Sequence, residues 1–310
     1  MGQHASSRFT ATLATCRLAQ NHRDDLYLQA ALEQVGIPTA IELWDSSEYD
    51  WGKPSLVLIR STWDYVKDIS HFFAWASSIN RKTLLMNPLH VLQWNSNKRY
   101  LLNVERAGGP IIPTIWLSRL QRDEAPAIIG TALRKWSTIV MKPCIGAGSV
   151  GFSRIHFLDE GLAHLDTLLP TGEVMIQPYV QSFQEEGEYS LIFIGRIFSH
   201  AVRKFALDLP VQKVPTGNGT RVEAIEVLPK EVQKVATHIM EAMRCTHVFT
   251  RIDVISYQGR ACINEVELIE PQLFLGTAPH AALEAARAIR DYLVCNQENL
   301  HFSRDLTRCV

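Results

Sequence analysis

Apolar and polar positions alternate along this chain with a period that changes from segment to segment. From Phe9 to about Asn87, short apolar runs at Ala11 to Cys16, Ile37 to Trp44, Ser55 to Arg60 and Thr83 to Met86 alternate with helical stretches. The helical stretches are Asp24 to Val35 and Ile69 to Ile79. Strands interleaved with helices predict a small parallel α/β unit, and Asn87-Pro88 reads as its boundary. A helix is expected over 95–107, stopped by Gly108-Gly109-Pro110. A strand (Ile111 to Leu117), a helix (Arg122 to Lys135) and a strand (Thr138 to Pro143) follow. After a glycine-rich loop come strands at Phe152 to Phe157 and Glu173 to Val180, then long antiparallel strands at Leu191 to Ile194 and Ile197 to Phe205. A helix (Pro229 to Met243), two further strands and an Ala-rich helix (Pro279 to Val294) complete the pattern.

The last two strands carry an acidic ladder. Thr250-Arg251-Ile252-Asp253-Val254 and Cys262-Ile263-Asn264-Glu265-Val266-Glu267 flank a turn at Gln258-Gly259-Arg260. Strand geometry puts Arg251 and Asp253 on one face, and Glu265 and Glu267 likewise. If those faces coincide, three carboxylates crowd together inside an apolar sheet and repel unless cations neutralise them. An all-oxygen ligand set points to magnesium or manganese. A solvated strand face with incidental charges is the alternative.

Gly146-Ala147-Gly148-Ser149-Val150-Gly151 matches G-x-G-x-x-G. The dinucleotide fingerprint requires a helix directly after that loop. Here an alternating strand follows, so a backbone-amide flap over phosphates fits better than a dinucleotide turn. Protein kinases place their lysine after such a flap and carry HRD and DFG motifs, whereas Lys142 precedes this one. A structural hairpin is the alternative. Lys98, in the first turn of its helix, opposes the helix dipole, and a nearby anion would rationalise it. Arg60-Ser61-Thr62-Trp63-Asp64-Tyr65 follows the third strand, and ligands of open α/β sheets bind at strand carboxyl ends, making Arg60 and Asp64 candidates for substrate contact. A structural turn around a buried Trp competes with that reading.

Composition narrows the setting. The 310 residues are 46% hydrophobic and 20% charged, with net charge -1, so nothing argues for nucleic acid or an anionic membrane as partner. Six cysteines without CxxC spacing, several in apolar runs, are expected to be reduced and buried, as in a cytoplasmic protein. No apolar stretch reaches membrane-spanning length, and no signal-peptide pattern opens the chain.

Taken in order, a lysine in a helix, a lysine before a glycine flap, a Gln hinge, a Glu-Tyr-Ser and an Asp followed twelve residues later by Glu-x-Glu resemble the ATP-grasp superfamily over residues 90 to 290. That superfamily includes D-alanine–D-alanine ligase and glutathione synthetase. Arg60 to Tyr65, "GEYSLIF", "SHAVRK" and "NEVELIEP" look most like its cycloserine-forming branch. The resemblance implies an α/β fold with α+β subdomains: an N-terminal α/β domain (1–88), a central lid subdomain (89–181) and a C-terminal subdomain with the metal site (182–310). It implies that Lys98 and Lys142 hold ATP phosphates under a flap including Gly146, Gly148, Ser149 and Gly151. Gln177, Tyr179 and Val180 would form the adenine hinge, and Glu188 would take the ribose hydroxyls. Asp253, Glu265 and Glu267 would ligate two Mg2+ ions, with Glu267 where the superfamily often has asparagine. Arg251 would stabilise the transferred phosphoryl group. Where related chains often carry an arginine after the "AVRK" strand, this one has Pro210, so Arg203, Lys204 or Arg221 would compensate, and the loop at Gly217 and Gly219 would read substrate.

The implied activity is ATP-dependent ligation: a small amino-acid-like carboxylate becomes an acyl phosphate that an amine nitrogen attacks, within one molecule or between two. A homodimer is the expected assembly if there is one. A phosphotransferase stopping at a phosphorylated product, and a nucleotide-binding protein without catalysis, remain the alternatives.

Overall fold

In the computed structural model, residues 9–206 and 220–295 are described. The N-terminal third forms β1 (Ala11–Thr15), α1 (Arg23–Gln34), β2 (Thr39–Leu43), β3 (Leu56–Ile59), α2 (Ile69–Asn80) and β4 (Leu84–Met86). The four strands make one parallel sheet in the order β2-β1-β3-β4. β1 and β3 are buried at every residue, as central parallel strands covered on both faces must be.

Next come α3 (Leu89–Asn95), a short 3-10 turn over Lys98–Tyr100, and α4 (Leu101–Arg106). The helix expected over 95–107 is thus broken at Ser96-Asn97, where the Asn97 side chain accepts from Arg99 N. A second sheet follows: β5 (Ile115–Leu117), α5 (Ala125–Trp136), β6 (Ile139–Pro143), β7 (Ser153–Ile155), α6 (Leu158–Leu168) and β8 (Val174–Pro178). Its strands run antiparallel in the order β5-β8-β6-β7, with α5 and α6 against them around Ile129, Met141, Leu165 and Ile176. α6 has no counterpart among the expected elements. One of its three buried positions is Gly161, which thins the apolar stripe a helix normally shows.

After α7 (Ser182–Glu185), the last sheet comprises β9 (Glu188–Ile194), β10 (Ile197–Ala206), β11 (Thr220–Ala224), α8 (Lys230–Ala242), β12 (Phe249–Tyr257) and β13 (Arg260–Glu267). Its order is β11-β10-β9-β12-β13, antiparallel throughout. α9 (Ala281–Cys295) ends the described chain. Small residues Ala281, Ala282, Ala285 and Ala286 let α9 approach closely a core it shares with β1, β3 and α1.

Polar staples join the first and last sheets. The Asp24 carboxylate accepts from the N–H groups of Leu273, Phe274 and Leu275 at 2.8–2.9 Å. The Asn87 amide donates to Phe249 O and Leu268 O and accepts from Val248 N. These bonds satisfy backbone groups that burial would otherwise leave unpaired. Cys16, Cys144, Cys245 and Cys262 are buried and Cys295 is exposed, with no disulfide among the described residues. No helix among those residues is long and apolar enough to cross a membrane.

Candidate active site

The acidic ladder closes as its period demands. β12 and β13 pair with Arg251 opposite Glu267 and Asp253 opposite Glu265, putting all four side chains on one face. A bulge follows at once, because Val254 pairs with Ile263 and leaves Asn264 as the extra residue. Asn264 donates to Glu188 Oε1 at 2.5 Å. Asp253, Glu265 and Glu267 bring carboxylate oxygens within 4.8 Å of one another, the donor set of a hard divalent cation.

Each member of the trio also touches a basic side chain. Arg251 grips Asp253 through Nε and Nη2 at 2.9 Å and donates to Glu267 through Nη2. Lys204 spans Asp253 at 3.0 Å and Glu188, its cross-strand partner, at 2.7 Å. Ser190, opposite Asp253 on β9, donates to Asp253 Oδ1 at 2.6 Å. Lys98 pairs with Glu265, so the anion its position requires is a carboxylate of the ladder. Burial opposes ionisation of Asp253, yet Arg251 and Lys204 outweigh it and hold the group well below the usual carboxylate range. Glu265 is likewise lowered, burial being overcome by Lys98 and Lys142. Burial pushes Glu267 up to about 8, with Arg251 pulling against it and Glu265 adding to it.

These groups form one wall of a cavity of about 530 Å³. Across it stand Lys142 of β6 and the loop residues Gly146, Ala147, Gly148, Ser149 and Val150. β6 and β7 are antiparallel neighbours, so the loop joins strand to strand, as expected. Gly148 and Gly151 have φ of 59° and 75°, which a side chain would strain. Gly151 lies behind the cavity lining, its carbonyl within 3.0 Å of His164 Nε2. Lys142 has no acidic partner within 4 Å among the described residues, and burial lowers its pKa. The far end of the cavity is apolar, with Ile112, Val140, Phe183 and Ile255 beside Gln177, Tyr179 and Val180. The Arg154 guanidinium stacks 4.0 Å over the Tyr179 ring.

The remaining expected site residues stand elsewhere or lie outside the described residues. Arg60 is 1% exposed, beside Asp25 (3.6 Å), donating to Pro271 O and stacked over Phe249, so it braces the joint between sheets and does not reach the cavity. Asp64 accepts from Trp44 Nε1. Their run meets the cavity through Trp63 and Tyr65 instead, because alternate residues of the turn face opposite ways. Arg203 packs over the rings of Tyr189 and Phe205, since β10 turns Lys204 inward and its neighbour outward. Arg221 lies over Phe205 and pairs with Glu223. Pro210, Gly217 and Gly219 lie outside the described residues. Sequence reasoning gave no role to Tyr65, Asn264 or Glu270, all of which line the cavity. Burial pushes Glu270 up to about 7. Its signal was the charge three positions past Glu267, out of step with the strand period.

Residues 11–87 match the family described as the D-cycloserine synthetase DcsG N-terminal domain. The cycloserine biosynthesis protein DcsG of Streptomyces lavendulae is 28% identical over 282 residues, 86% of this chain and 92% of that protein. The crystal structure of D-cycloserine synthetase DcsG superposes with TM-score 0.82 at 26% identity, covering 92% of this chain and 99% of that one. D-alanyl-alanine synthetase A from Vibrio cholerae matches with TM-score 0.67 at 16% identity, over 93% and 99% of the two chains. D-alanine–D-alanine ligase from Bacillus anthracis, complexed with ATP, matches with TM-score 0.64 at 16% identity, over 94% and 98%. The chain has the ATP-grasp fold, and its likeness runs to the cycloserine-forming protein DcsG.

Proposed function

We propose that this chain activates a small amino-acid-like carboxylate as an acyl phosphate, at the expense of ATP, for attack by an amine nitrogen. The observation that carries this reading is the carboxylate trio on β12 and β13 facing Lys142 and the glycine loop across one cavity. The three sheets support three working parts, divided near residues 88 and 181.

The residues fit the reactants at both ends. The apolar end between Ile112, Val140, Phe183 and Ile255 suits an adenine, with the Gln177–Val180 backbone as its edge partner. Glu188 is positioned to meet ribose hydroxyls by exchanging its bond from Asn264. Lys142, uncommitted, suits a phosphate as a point charge, and the loop's backbone N–H groups suit its oxygens. Asp253, Glu265 and Glu267 would hold Mg2+, which when bound neutralises charge on the phosphates. Arg251 keeps Asp253 ionised and offers its guanidinium to the transferred phosphoryl group. Carboxylates are poor electrophiles, so phosphorylation of the substrate oxygen creates the leaving group that the nitrogen then displaces as phosphate. Protein groups need only position the partners and balance charge.

A magnesium-dependent ADP-release screen against amino acids and analogues, each with and without an amine acceptor, tests the reading. ADP release dependent on a carboxylate, with a new carbon–nitrogen bond in the product, is expected, and Glu265→Gln should abolish it. A stable phosphorylated product with no amine requirement, or nucleotide binding with no ADP release across the panel, would overturn it.

A further inference from the structure

One end of the cavity carries a hydrogen-bond chain whose direction is fixed. Thr114 immediately precedes β5, and the register that sets Ile115 against Ile176 brings it to Gln177 of β8. The Thr114 hydroxyl donates to Ile112 O at 2.8 Å, and the Gln177 amide meets the same hydroxyl oxygen at 2.8 Å. A hydroxyl has one proton, and a carbonyl can only accept it. With that proton committed to Ile112, Thr114 offers Gln177 nothing but a lone pair. Gln177 must therefore turn its NH2 group to Thr114 and keep Oε1 away from it. The opposite amide orientation would leave the carbonyl of Ile112, a residue 3% exposed, without its donor.

The remaining amide oxygen belongs to the base end of the cavity. Gln177 is 3% exposed and lines the cavity with Ile112, Val180 and its cross-strand partner Val140. Nε2 is held by Thr114, so Oε1, which has no partner among the described residues, is the amide atom left to meet an occupant. Next to it the Tyr179 N–H is bonded to Thr138 O at 3.0 Å, so the N–H open to a base is that of Val180. This edge offers a backbone donor and, at Gln177, an acceptor without a donor. Adenine presents the matching pattern, a ring-nitrogen acceptor beside an amino donor. Hypoxanthine and guanine present the reverse, a ring N–H beside a carbonyl. Their carbonyl against Oε1 would set two acceptors together with no proton between them, away from water.

Resting on the nucleotide site of the ligase reading above, we propose that Thr114 sets the base selectivity of this chain, by locking the Gln177 amide so that Oε1 accepts from a 6-aminopurine and rejects a 6-oxopurine. Gln177 touches the base, whereas Thr114 is a positioning residue that acts only through Gln177. Without the lock an amide can turn over and serve either pattern. The discrimination therefore lies in the Ile112–Thr114–Gln177 chain and not in the shape of the pocket, which the two kinds of purine fill alike.

The probes are ADP and IDP with Mg2+, bound to the full chain and read by calorimetry, with ADP release from ATP read in parallel. The wild-type chain should bind ADP at least tenfold more tightly than IDP. Thr114→Val, which removes the hydroxyl and keeps the branched shape, should bring that ratio within threefold, chiefly by tightening IDP. Thr114→Ser keeps the hydroxyl and should keep the ratio. Adding Gln177→Glu to Thr114→Val should restore it to fivefold or more, because an ionised carboxylate accepts through either oxygen. Melting curves confirm folding, and Gln177→Met, which should also bring the ratio within threefold, serves if Thr114→Val does not fold. A tenfold ratio that survives in Thr114→Val or in Gln177→Met overturns the proposal, as does a wild-type chain that binds the two nucleotides equally. Weakening of ADP and IDP by the same factor in Thr114→Val also overturns it, leaving Thr114 a structural residue. Thr114-dependent base selectivity without ADP release from ATP across the carboxylate panel would uphold the positioning role and reject ligation, whereas carboxylate-dependent ADP release with no base preference would do the reverse.

Discussion

On the β12–β13 side of the cavity, Asp253, Glu265 and Glu267 each meet a lysine or arginine, while on the β6–β7 side Lys142 meets no acidic group among the described residues. The difference follows from burial. Asp253 is 2% exposed on a central strand, so the chain cannot fold around it without a built-in counter-charge. Lys142 is only partly buried beside an exposed loop, where Val150 is 65% exposed, so it folds without a counter-charge while burial holds its pKa down. Ligand binding must therefore exchange partners on the acidic wall and supply them on the lysine wall. Substitutions on the first wall should alter folding and turnover together, and those on the second should alter nucleotide binding alone.

The largest effect is expected at Asp253. Asp253→Asn should cut ADP formation by at least about a hundredfold, the scale of losing one preorganised electrostatic contact. It also leaves Arg251 with Glu267 alone and Lys204 with Glu188 alone, so unfolding free energy should fall by about 2 kcal/mol. Turnover assays and denaturant titration check both, and full turnover or unchanged stability would break the contrast. Next in size is the pair of lysines. Lys142→Met should raise the KM for ATP tenfold or more without lowering the melting temperature, because no partner is abandoned. Lys98→Met abandons Glu265 and should lower both activity and melting temperature. Equal stability losses in the two variants would mean the walls do not differ. Smaller again is Gly151→Ala. A Cβ there would lie 3.0 Å from Leu168 and Pro143 side-chain atoms, at a φ that disfavours it. The KM for ATP should rise several-fold with Mg2+ affinity unchanged, and a matching loss of Mg2+ affinity would show the loop and the trio to be one unit.

Legibility in the sequence divides along the same line. The parallel N-terminal sheet, the strand–loop–strand at Gly146 and the convergence of Arg251, Asp253, Glu265 and Glu267 follow from local periods, which residue spacing records directly. What spacing could not record was which side of a turn faces inward. Arg60 and Asp64 read as site residues because of their position after β3, but a fold-spanning contact with Pro271 consumed the first and Trp44 the second. Arg203 and Lys204 were indistinguishable until the β9–β10 register set Lys204 against Glu188. Glu270 was hidden because it follows the strand, where no period assigns a face.

The finest effect separates the walls by pH. Burial pushes Glu267 up to about 8 and Glu270 up to about 7 from an ordinary value of 4.5. Between those values the folded chain holds protons that the unfolded chain has released, so unfolding free energy falls as pH rises. The contribution is fully present below pH 4.5 and gone above about 8. Asp253 and Glu265 are shifted the other way, so their contribution is lost only as pH drops below the usual carboxylate range. Without Mg2+, the melting temperature should therefore decline by a few degrees from about pH 5 to about pH 8. A metal ligand must be ionised, so Mg2+ binding at pH 7 should release protons, and Mg2+ affinity should climb until about pH 8. Melting curves across that range, with and without Mg2+, and calorimetry in buffers of different ionisation enthalpy measure both. Glu267→Gln should flatten most of the slope, because it removes the most strongly raised group, and Lys142→Met should leave it intact. A metal-free melting temperature that rises with pH would remove Glu267 as its source, and with it the argument that the acidic wall is held partly protonated until the metal displaces the proton.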